Sequence, residues 1–387
     1  MTARKCALTV LNRCTISGSW SVQTLDAELK RLESSTETLK GKEADREKAL
    51  AARIVLGVLQ NRILLDYYIN ALAARPEKLD MQVRNILRIG AYQLRFMDRI
   101  PNHAAVNEAV ALCRESGFKS ACGLVNAVLR KIAAGRIPEP EDISVRFSHP
   151  KWFTDRLIKL KGAAFAEAFL RADNEIPGTA EHTAFAPGET YVQDPAAYEA
   201  VRMAEPKPGM RVLDACAAPG GKSFTAAVLM ENRGEILSCD IHEKKLRLVR
   251  EGAERLGITV IRTFAADASV HLPELEEKFD LVIADVPCSG FGVIRKKPEI
   301  RYKTESEIAG LPSIQKRILR NVADYVRPGG TLLYSTCTVF PEENEQVVQK
   351  LLQRGGFLLR KEKSFYPNVD GTDGFYAAVL RRENGAE

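Results

Sequence analysis

Apolar residues in the first third of the chain recur at three- and four-residue steps, the period of an amphipathic helix. Between Asp80 and Met97, one stripe carries Val83, Ile86, Leu87, Gly90, Leu94 and Met97, while Arg84, Arg88 and Arg95 share a different face. Ala51–Ala73 repeats the pattern with Val55, Val58, Leu59 and Ile63, and a further helix is predicted over Phe118–Ala134, stopped by Gly135. Pro76 and Pro101 punctuate the helices, and Asn102 is placed to cap the one that follows. No alternating strand pattern interrupts these stripes, so residues 1–137 are predicted to form an all-helical bundle.

The pattern then changes twice. Ile137–Asp142 is rich in proline and acid, as a linker is. A short helical piece is predicted over roughly Lys151–Asp173, and Asn174–Thr190, with Pro177, Gly178, Pro187 and Gly188, as loop; residues 138–190 together are read as a linker region. From about Tyr191 short apolar runs alternate with helical stripes. Strands are predicted at Arg211–Ala215, Glu235–Asp240, Val260–Ala265, Phe279–Asp285 and Thr331–Ser335, with a last one over Gly374–Leu380. Helices fit between them at Lys222–Met230, Glu243–Leu256, Glu305–Val326 and Glu342–Leu352. This βαβ series predicts a doubly wound, Rossmann-like α/β domain over residues 191–387.

Charge sharpens the division. The whole chain carries a formal +6, yet residues 1–137 hold 22 Lys and Arg against 13 Asp and Glu, so the excess sits in the helical part and points to a polyanion partner there. Met1–Trp20 shows no apolar run followed by a cleavage site, and no stretch of about 18 apolar residues occurs, so neither a signal peptide nor a membrane span is expected. The eight cysteines form no C-x-x-C pair and the five histidines no cluster, which disfavours a metal and leaves reduced thiols in the cytoplasm as the expectation.

The candidate chemistry lies in the second domain. Asp214-Ala-Cys-Ala-Ala-Pro-Gly-Gly-Lys222 follows a predicted strand and opens a helix. Its glycines let the backbone approach a ligand, and helix-start amides favour an anionic group. The spacing is neither that of a phosphate-binding P-loop nor G-x-G-x-x-G. Asp240, Asp267 and Asp285 stand at or just after the ends of three later strands, which line one crevice in an open α/β sheet. A carboxylate at the second strand end suits a ribose diol. Cys288 in Asp285-Val-Pro-Cys follows the fourth predicted strand and Cys337 in Ser335-Thr-Cys-Thr338 the fifth, so both are expected to face the same crevice. A thiolate adding to carbon 6 of cytosine makes carbon 5 nucleophilic enough to take a methyl group, and a second thiol can assist release. Spacing leaves open which cysteine attacks. Cys6, Cys14, Cys113, Cys122 and Cys239 read as packing residues, and Cys216 as part of the turn. Arg295, Lys296, Lys297, Arg301 and Tyr302 directly follow the Pro-Cys loop and are candidate phosphate and base contacts, as are Arg84, Arg88 and Arg95.

DACAAPGGK, DVPCSGFG, KKPEIRYK, PGGTLLYSTCTVFPEENEQVV and DGFYAAVL resemble, in content and order, the motifs of the Sun family of RNA 5-methylcytosine methyltransferases. Leu87–Val110 and Gly123–Lys131 resemble the NusB-type helical domain that precedes the catalytic domain in one branch, the bacterial 16S ribosomal RNA methyltransferase B type. The resemblance implies S-adenosyl-L-methionine as cofactor. It implies that Cys337 is the nucleophile and Cys288 the residue for product release, with Asp285 near the methyl donor and target base. Cys216, Ala217, Ala218, Pro219, Gly220, Gly221 and Lys222 would form the cofactor turn, Asp240 would bind the ribose and Asp267 would lie near the adenine. The implied partner is small-subunit ribosomal RNA, free or in an assembly intermediate, with the enzyme a monomer. The rivals are the same chemistry on transfer RNA and a non-catalytic RNA-binding assembly factor. One departure stands out: the RNA-recognition-like subdomain expected before Val192-Gln193-Asp194 is reduced to Asn174–Tyr191, without its R-x-N motif.

Overall fold

The computed structural model describes residues 2–16, 21–35 and 42–384. Parts of the expected bundle (Met1, 17–20 and 36–41), including some of the Met1–Trp20 stretch read for a signal peptide, lie outside the described residues, as do 385–387. The contacts divide the chain into two units, Met1–Asn174 and Glu175–Glu387.

Among its described residues the first unit is helical: α1 (Ala3–Ile16), α2 (Ser21–Ser35), α3 (Lys42–Leu72), α4 (Met81–Phe96), α5 (Asn102–Glu115), α6 (Cys122–Ala133), α7 (Ile143–Arg146), α8 (Lys151–Lys161) and α9 (Ala163–Ala172). Its core takes the predicted stripes, with Val55, Val58, Leu59, Val83, Ile86, Leu87 and Leu129 all buried. Gly90 belongs to the stripe because a methyl there would stand 2.5 Å from Leu129 Cδ1. Asn102 is the first helical residue and Pro101 the cap, a position where the missing proline N–H costs nothing. The helical piece expected over Lys151–Asp173 is two helices, broken at Gly162, whose φ of 87° no helix continues. Residues 138–174 of the expected linker therefore pack with the bundle.

The bundle also reassigns two arginines. Arg88 is 4% exposed; its Nε and Nη2 donate to Asp66 at 2.8 and 2.6 Å and its Nη1 to Asn85 at 2.7 Å. Arg84 Nη1 donates to Asn70 at 2.9 Å and its Nη2 to the Pro76 carbonyl at 2.6 Å. A buried guanidinium engaged on all sides holds helices together and does not reach a phosphate. Arg95 remains exposed, 6.0 Å from the Tyr68 ring centre.

The second unit begins with β1 (Ala180–Thr183) and β2 (Thr190–Gln193), an antiparallel pair where loop was expected; four residues per strand are too few to show a period. Then follow α10 (Pro195–Met203), β3 (Arg211–Asp214), α11 (Gly221–Leu229), β4 (Glu235–Asp240), α12 (Glu243–Arg255), β5 (Ile261–Ala265), β6 (Phe279–Asp285), α13 (Glu305–Ile308), α14 (Leu311–Ala323), β7 (Val326–Thr336), α15 (Glu345–Leu352), β8 (Phe357–Phe365), α16 (Pro367–Asp370) and β9 (Phe375–Arg382). Seven of the strands form one sheet in the order β5-β4-β3-β6-β7-β9-β8, parallel from β5 to β7 and antiparallel at β9 and β8. Successive residues of β6 feed two cores: Leu281 and Ile283 pack on one face, Val282 and Ala284 on the other. The single helix expected over Glu305–Val326 is two, because Pro312 sits in a first helical turn and starts α14 afresh.

Chain order reverses between β3 and β6, which are hydrogen-bonded neighbours although β4 and β5 intervene in sequence. The crevice that such a switch point opens, beyond the carboxyl ends of the strands, is the ligand site of open α/β sheets.

Candidate active site

The crevice beyond β3 and β6 has a volume of about 570 Å³. Its lining includes Cys216, Ala217, Ala218, Pro219, Gly221, Lys222, Asp285, Lys297 and Cys337. The turn after β3 and both strand-end loops thus meet in one place.

Gly220 caps α11 with φ of 118°, a left-handed conformation that side chains resist. The turn brings backbone to the crevice wall and starts α11 there, so first-turn amides face the opening. Asp214, at the end of β3, is fully buried; Ser223 Oγ donates to it at 2.7 Å, and burial pushes its carboxyl up to about 7. Asp240 accepts from the His242 amide at 2.9 Å, and Asp267 accepts from the Ser269 amide and hydroxyl at 2.8 and 2.7 Å. The Ser269 donors hold the Asp267 carboxyl below the usual carboxylate range. Both acids stand at the carboxyl edge of the sheet, where β4 and β5 end. Asp267 lines a small recess with Ala266, Ala268 and Leu272, beside the main crevice. A glycine turn, a helix start and two fixed carboxylates along one edge fit a nucleoside joined to an amino acid.

Lys222 and Asp285 form an ion pair at 2.6 Å in the floor of the crevice, and Ser335 Oγ donates to the other Asp285 oxygen at 2.8 Å. Burial works against the Lys222 charge, but Asp285 outweighs it and holds the ammonium above its ordinary pKa. The Phe375 ring, 5.1 Å from Nζ, covers the cation.

Cys337 lines the crevice and Cys288 does not, but their sulfurs lie 3.0 Å apart, and the Cys337 amide donates to Cys288 Sγ at 3.3 Å. Their environments differ. The hydrogen bond from Cys288 holds the Cys337 thiol below its ordinary pKa against burial and Asp285, with Lys222 and Lys297 helping. Cys288 is pushed well up by that same bond and by burial, and further by Glu343 and Asp285. The two thiols are thus shifted in opposite directions, Cys337 toward the thiolate and Cys288 away from it. Burial instead pushes Cys6 and Cys113 up to about 11 and Cys239 up to about 12, as expected of packing thiols. Cys216 is also pushed well up, by burial and then by Asp214, Asp285 and Asp240, so it stays protonated within the turn.

The loops that carry the thiols are joined backbone to backbone. The Gly292 amide donates to the Cys337 carbonyl at 2.9 Å, and the Gly374 amide donates to the Gly292 carbonyl at 2.8 Å. A methyl on Gly292 would stand 1.8 Å from the Gly374 carbonyl oxygen. Gly292→Ala is therefore expected to destabilise the second unit by about 3 kcal/mol, the upper end for overpacking, because backbone must move. Urea unfolding checks this; an unchanged midpoint would show that the loops are loosely joined.

The basic stretch after the Pro-Cys loop divides. Arg295 pairs with buried Asp373, and Lys296 bridges Asp373 and Asp194 at 2.7 and 2.8 Å. Arg301 is fully buried within a short 3-10 turn, so its charge serves the interior and not a phosphate. Tyr302 is half-buried, and Lys297 is exposed at the crevice mouth. Sequence reasoning missed Asp194, Asp373, Gln315 and Glu343. Acids and amides spread over so many elements share no local pattern.

A mostly parallel seven-stranded sheet, with a glycine turn after β3 and a ligand crevice at its switch point, is the architecture of the S-adenosylmethionine-dependent methyltransferases, and likeness to known proteins places the chain in that class. A family model described as 16S rRNA methyltransferase RsmB/F matches residues 201–381, and the NusB family matches residues 1–134. The chain is 34% identical to the ribosomal RNA small subunit methyltransferase B of Thermus thermophilus, over 88% of this chain and 90% of that one. It is 33% identical to a Bacillus subtilis protein named "Probable ribosomal RNA small subunit methyltransferase B", over 88% and 92%. A methyltransferase homologue from Pyrococcus horikoshii of known structure superposes with a TM-score of 0.54 at 27% identity, over 62% of this chain and 98% of that one. The chain belongs to the ribosomal RNA small subunit methyltransferase B family.

Proposed function

We propose that this methyltransferase modifies carbon 5 of a cytidine in small-subunit ribosomal RNA through a transient bond between Cys337 and the base. The observation that carries this reading is the thiol pair: two sulfurs 3.0 Å apart on adjacent strand-end loops, their proton affinities shifted in opposite directions, with Cys337 in the wall of the crevice. A methyltransferase acting on an exocyclic amine needs no thiolate there.

Residues Cys216–Lys222 would hold the amino-acid end of S-adenosylmethionine, Asp240 its ribose diol and Asp267 the adenine side. When bound, this cofactor supplies an electrophilic methyl group. Cys337 Sγ adds to carbon 6 of the cytosine, and carbon 5 becomes nucleophilic. Asp285, oriented by Lys222 and Ser335, is placed to hydrogen-bond the edge of the base where charge shifts during addition. Methyl transfer would leave S-adenosylhomocysteine; Cys288 in its thiolate form, beside the departing sulfur, then takes the carbon 5 proton, and the electron pair of that bond expels Cys337 as thiolate from carbon 6. A base in a paired helix must first leave the stack to reach this depth.

For the RNA itself, Lys297 at the crevice mouth and Tyr302 are the contacts this geometry favours, with the basic NusB-like unit as a second binding surface. The relatives are named for the small ribosomal subunit, and free RNA or an assembly intermediate fits the same chemistry.

The test is transfer of a tritiated methyl group to small-subunit RNA, free and in particles, alongside transfer RNA, followed by nucleoside analysis. The expected product is 5-methylcytidine in small-subunit RNA alone. Label confined to transfer RNA would overturn the substrate, and label in any other nucleoside would overturn the chemistry.

A further inference from the structure

Two loops from different strands must hold their sulfurs within about a hydrogen bond of each other, yet each loop is irregular backbone that no ladder fixes. Besides the bond from the Gly292 amide to the Cys337 carbonyl, one buried carboxylate serves both loops. Glu343 is 2% exposed and precedes α15. Its Oε2 accepts from the amide of Ser289, the residue after Cys288, at 2.8 Å. The same oxygen accepts from Gln315 Nε2 at 2.8 Å. Its Oε1 accepts from the hydroxyl of Thr338, the residue after Cys337, at 3.4 Å. The two neighbours also meet directly, Ser289 Oγ with Thr338 Oγ1 at 2.7 Å.

Gln315, fully buried on α14, extends the support. Its Nε2 also donates at 3.0 Å to the carbonyl of Pro287, the residue before Cys288. Lys303 Nζ donates to the Ser289 carbonyl at 2.8 Å. The polar backbone on both sides of Cys288 is thus engaged by side chains, and the carboxylate joins that loop to the one bearing Cys337.

We propose that Glu343 is a positioning residue for the methyl-transfer reaction, tying the Cys288 and Cys337 loops to one buried carboxylate, with Gln315 as its partner. The inference rests on the cysteine-adduct reading above. Glu343 touches neither sulfur and lies outside the residues lining the cofactor crevice, so it acts through the loops. A neutral amide of the same shape could keep both N–H donors on its oxygen only by turning its NH2 toward the Thr338 hydroxyl, and would lose the negative charge that strengthens all three hydrogen bonds. Its negative charge has a second effect that matches the division of labour between the thiols. It raises the proton affinity of Cys288, while Lys222 and Lys297 lower that of Cys337.

The test compares Glu343→Gln, Gln315→Met and Cys337→Ala in the full-length enzyme, measuring kcat and KM for small-subunit RNA and the dissociation constant of S-adenosylmethionine. Glu343→Gln is expected to lower kcat about tenfold, the scale of turning charge-assisted hydrogen bonds into neutral ones, with cofactor affinity and the KM for RNA nearly unchanged. Gln315→Met keeps the carboxylate but loses both donated hydrogen bonds, and is expected to lower kcat about tenfold. A merely structural role predicts something different: kcat per folded molecule unchanged, or cofactor affinity lost in step with kcat. Either result overturns the proposal. Should Glu343→Gln not fold, Gln315→Met and Thr338→Val decide, and parental kcat in both overturns it. Activity in Cys337→Ala would instead overturn the adduct reading, whereas an inactive Cys337→Ala beside a fully active Glu343→Gln overturns only the role of Glu343.

Discussion

Replacing Cys337 by alanine is expected to lower methyl transfer by about four orders of magnitude or more, the scale on which removal of a nucleophile acts. Cofactor binding should survive. The proposed S-adenosylmethionine turn lies on Cys216–Lys222, at a different strand end, and the Cys337 sulfur is held by Cys288. The fold should survive too, because the substitution removes a half-buried sulfur and leaves the Cys337 carbonyl to accept from Gly292. Equilibrium binding of the cofactor and a single-turnover transfer assay separate the two effects. Full transfer by this variant would remove the covalent mechanism.

Replacing Cys288 by alanine is expected to have the complementary outcome, a covalent complex of protein and RNA that survives denaturation. The base can still add to Cys337 and take its methyl group, but the sulfur that assists elimination is gone, and turnover falls by about 10²- to 10⁴-fold, as for loss of an acid–base group. The pH dependence of adduct formation should also move. In the parent enzyme Cys288 holds the Cys337 pKa below its ordinary value, so thiolate persists to lower pH. Without that donor the Cys337 pKa rises and the acid limb of adduct formation shifts to higher pH. A slower-migrating band in a denaturing gel, sensitive to ribonuclease, reports the complex. Its absence at every pH, with turnover near parental, would count against the release role.

Much of the catalytic unit was legible from local pattern. The short apolar runs at β3, β4 and β6 are largely buried parallel strands, and such strands read as near-continuous hydrophobic sequence because both faces are covered. β8 was not legible. Its interior, Leu358–Ser364, is largely exposed and carries Arg360, Lys361, Glu362 and Lys363, the charges that keep an edge strand from pairing with another chain. The same property that protects the edge erases the strand signal. The first half of β7 was missed for a related reason: Arg327-Pro-Gly-Gly330 reads as a turn, and the structure accommodates it where the pairing with β6 shifts register.

The basic residues show a different limit. A sequence displays where charge sits along a helix, but not what faces it from another element. Arg88 shares a helix face with Arg95, yet Asp66 on α3 closes around the first and leaves the second exposed. Arg295 and Lys296 meet Asp373 and Asp194, residues 78 and 102 positions away for the pairs they form.

Sequence alone determined the division into a helical and an α/β part, the glycine turn and the acids and cysteines at strand ends, because each depends on residues within one element and its adjoining loop. Only the tertiary structure decided which charges are neutralised inside, that the two sulfurs touch, and that a glutamate six residues beyond Cys337 supports both their loops. Those facts depend on elements brought together by sheet order, where pairing partners come from distant parts of the chain and burial sets both the cost of a charge and the proton affinity of a thiol.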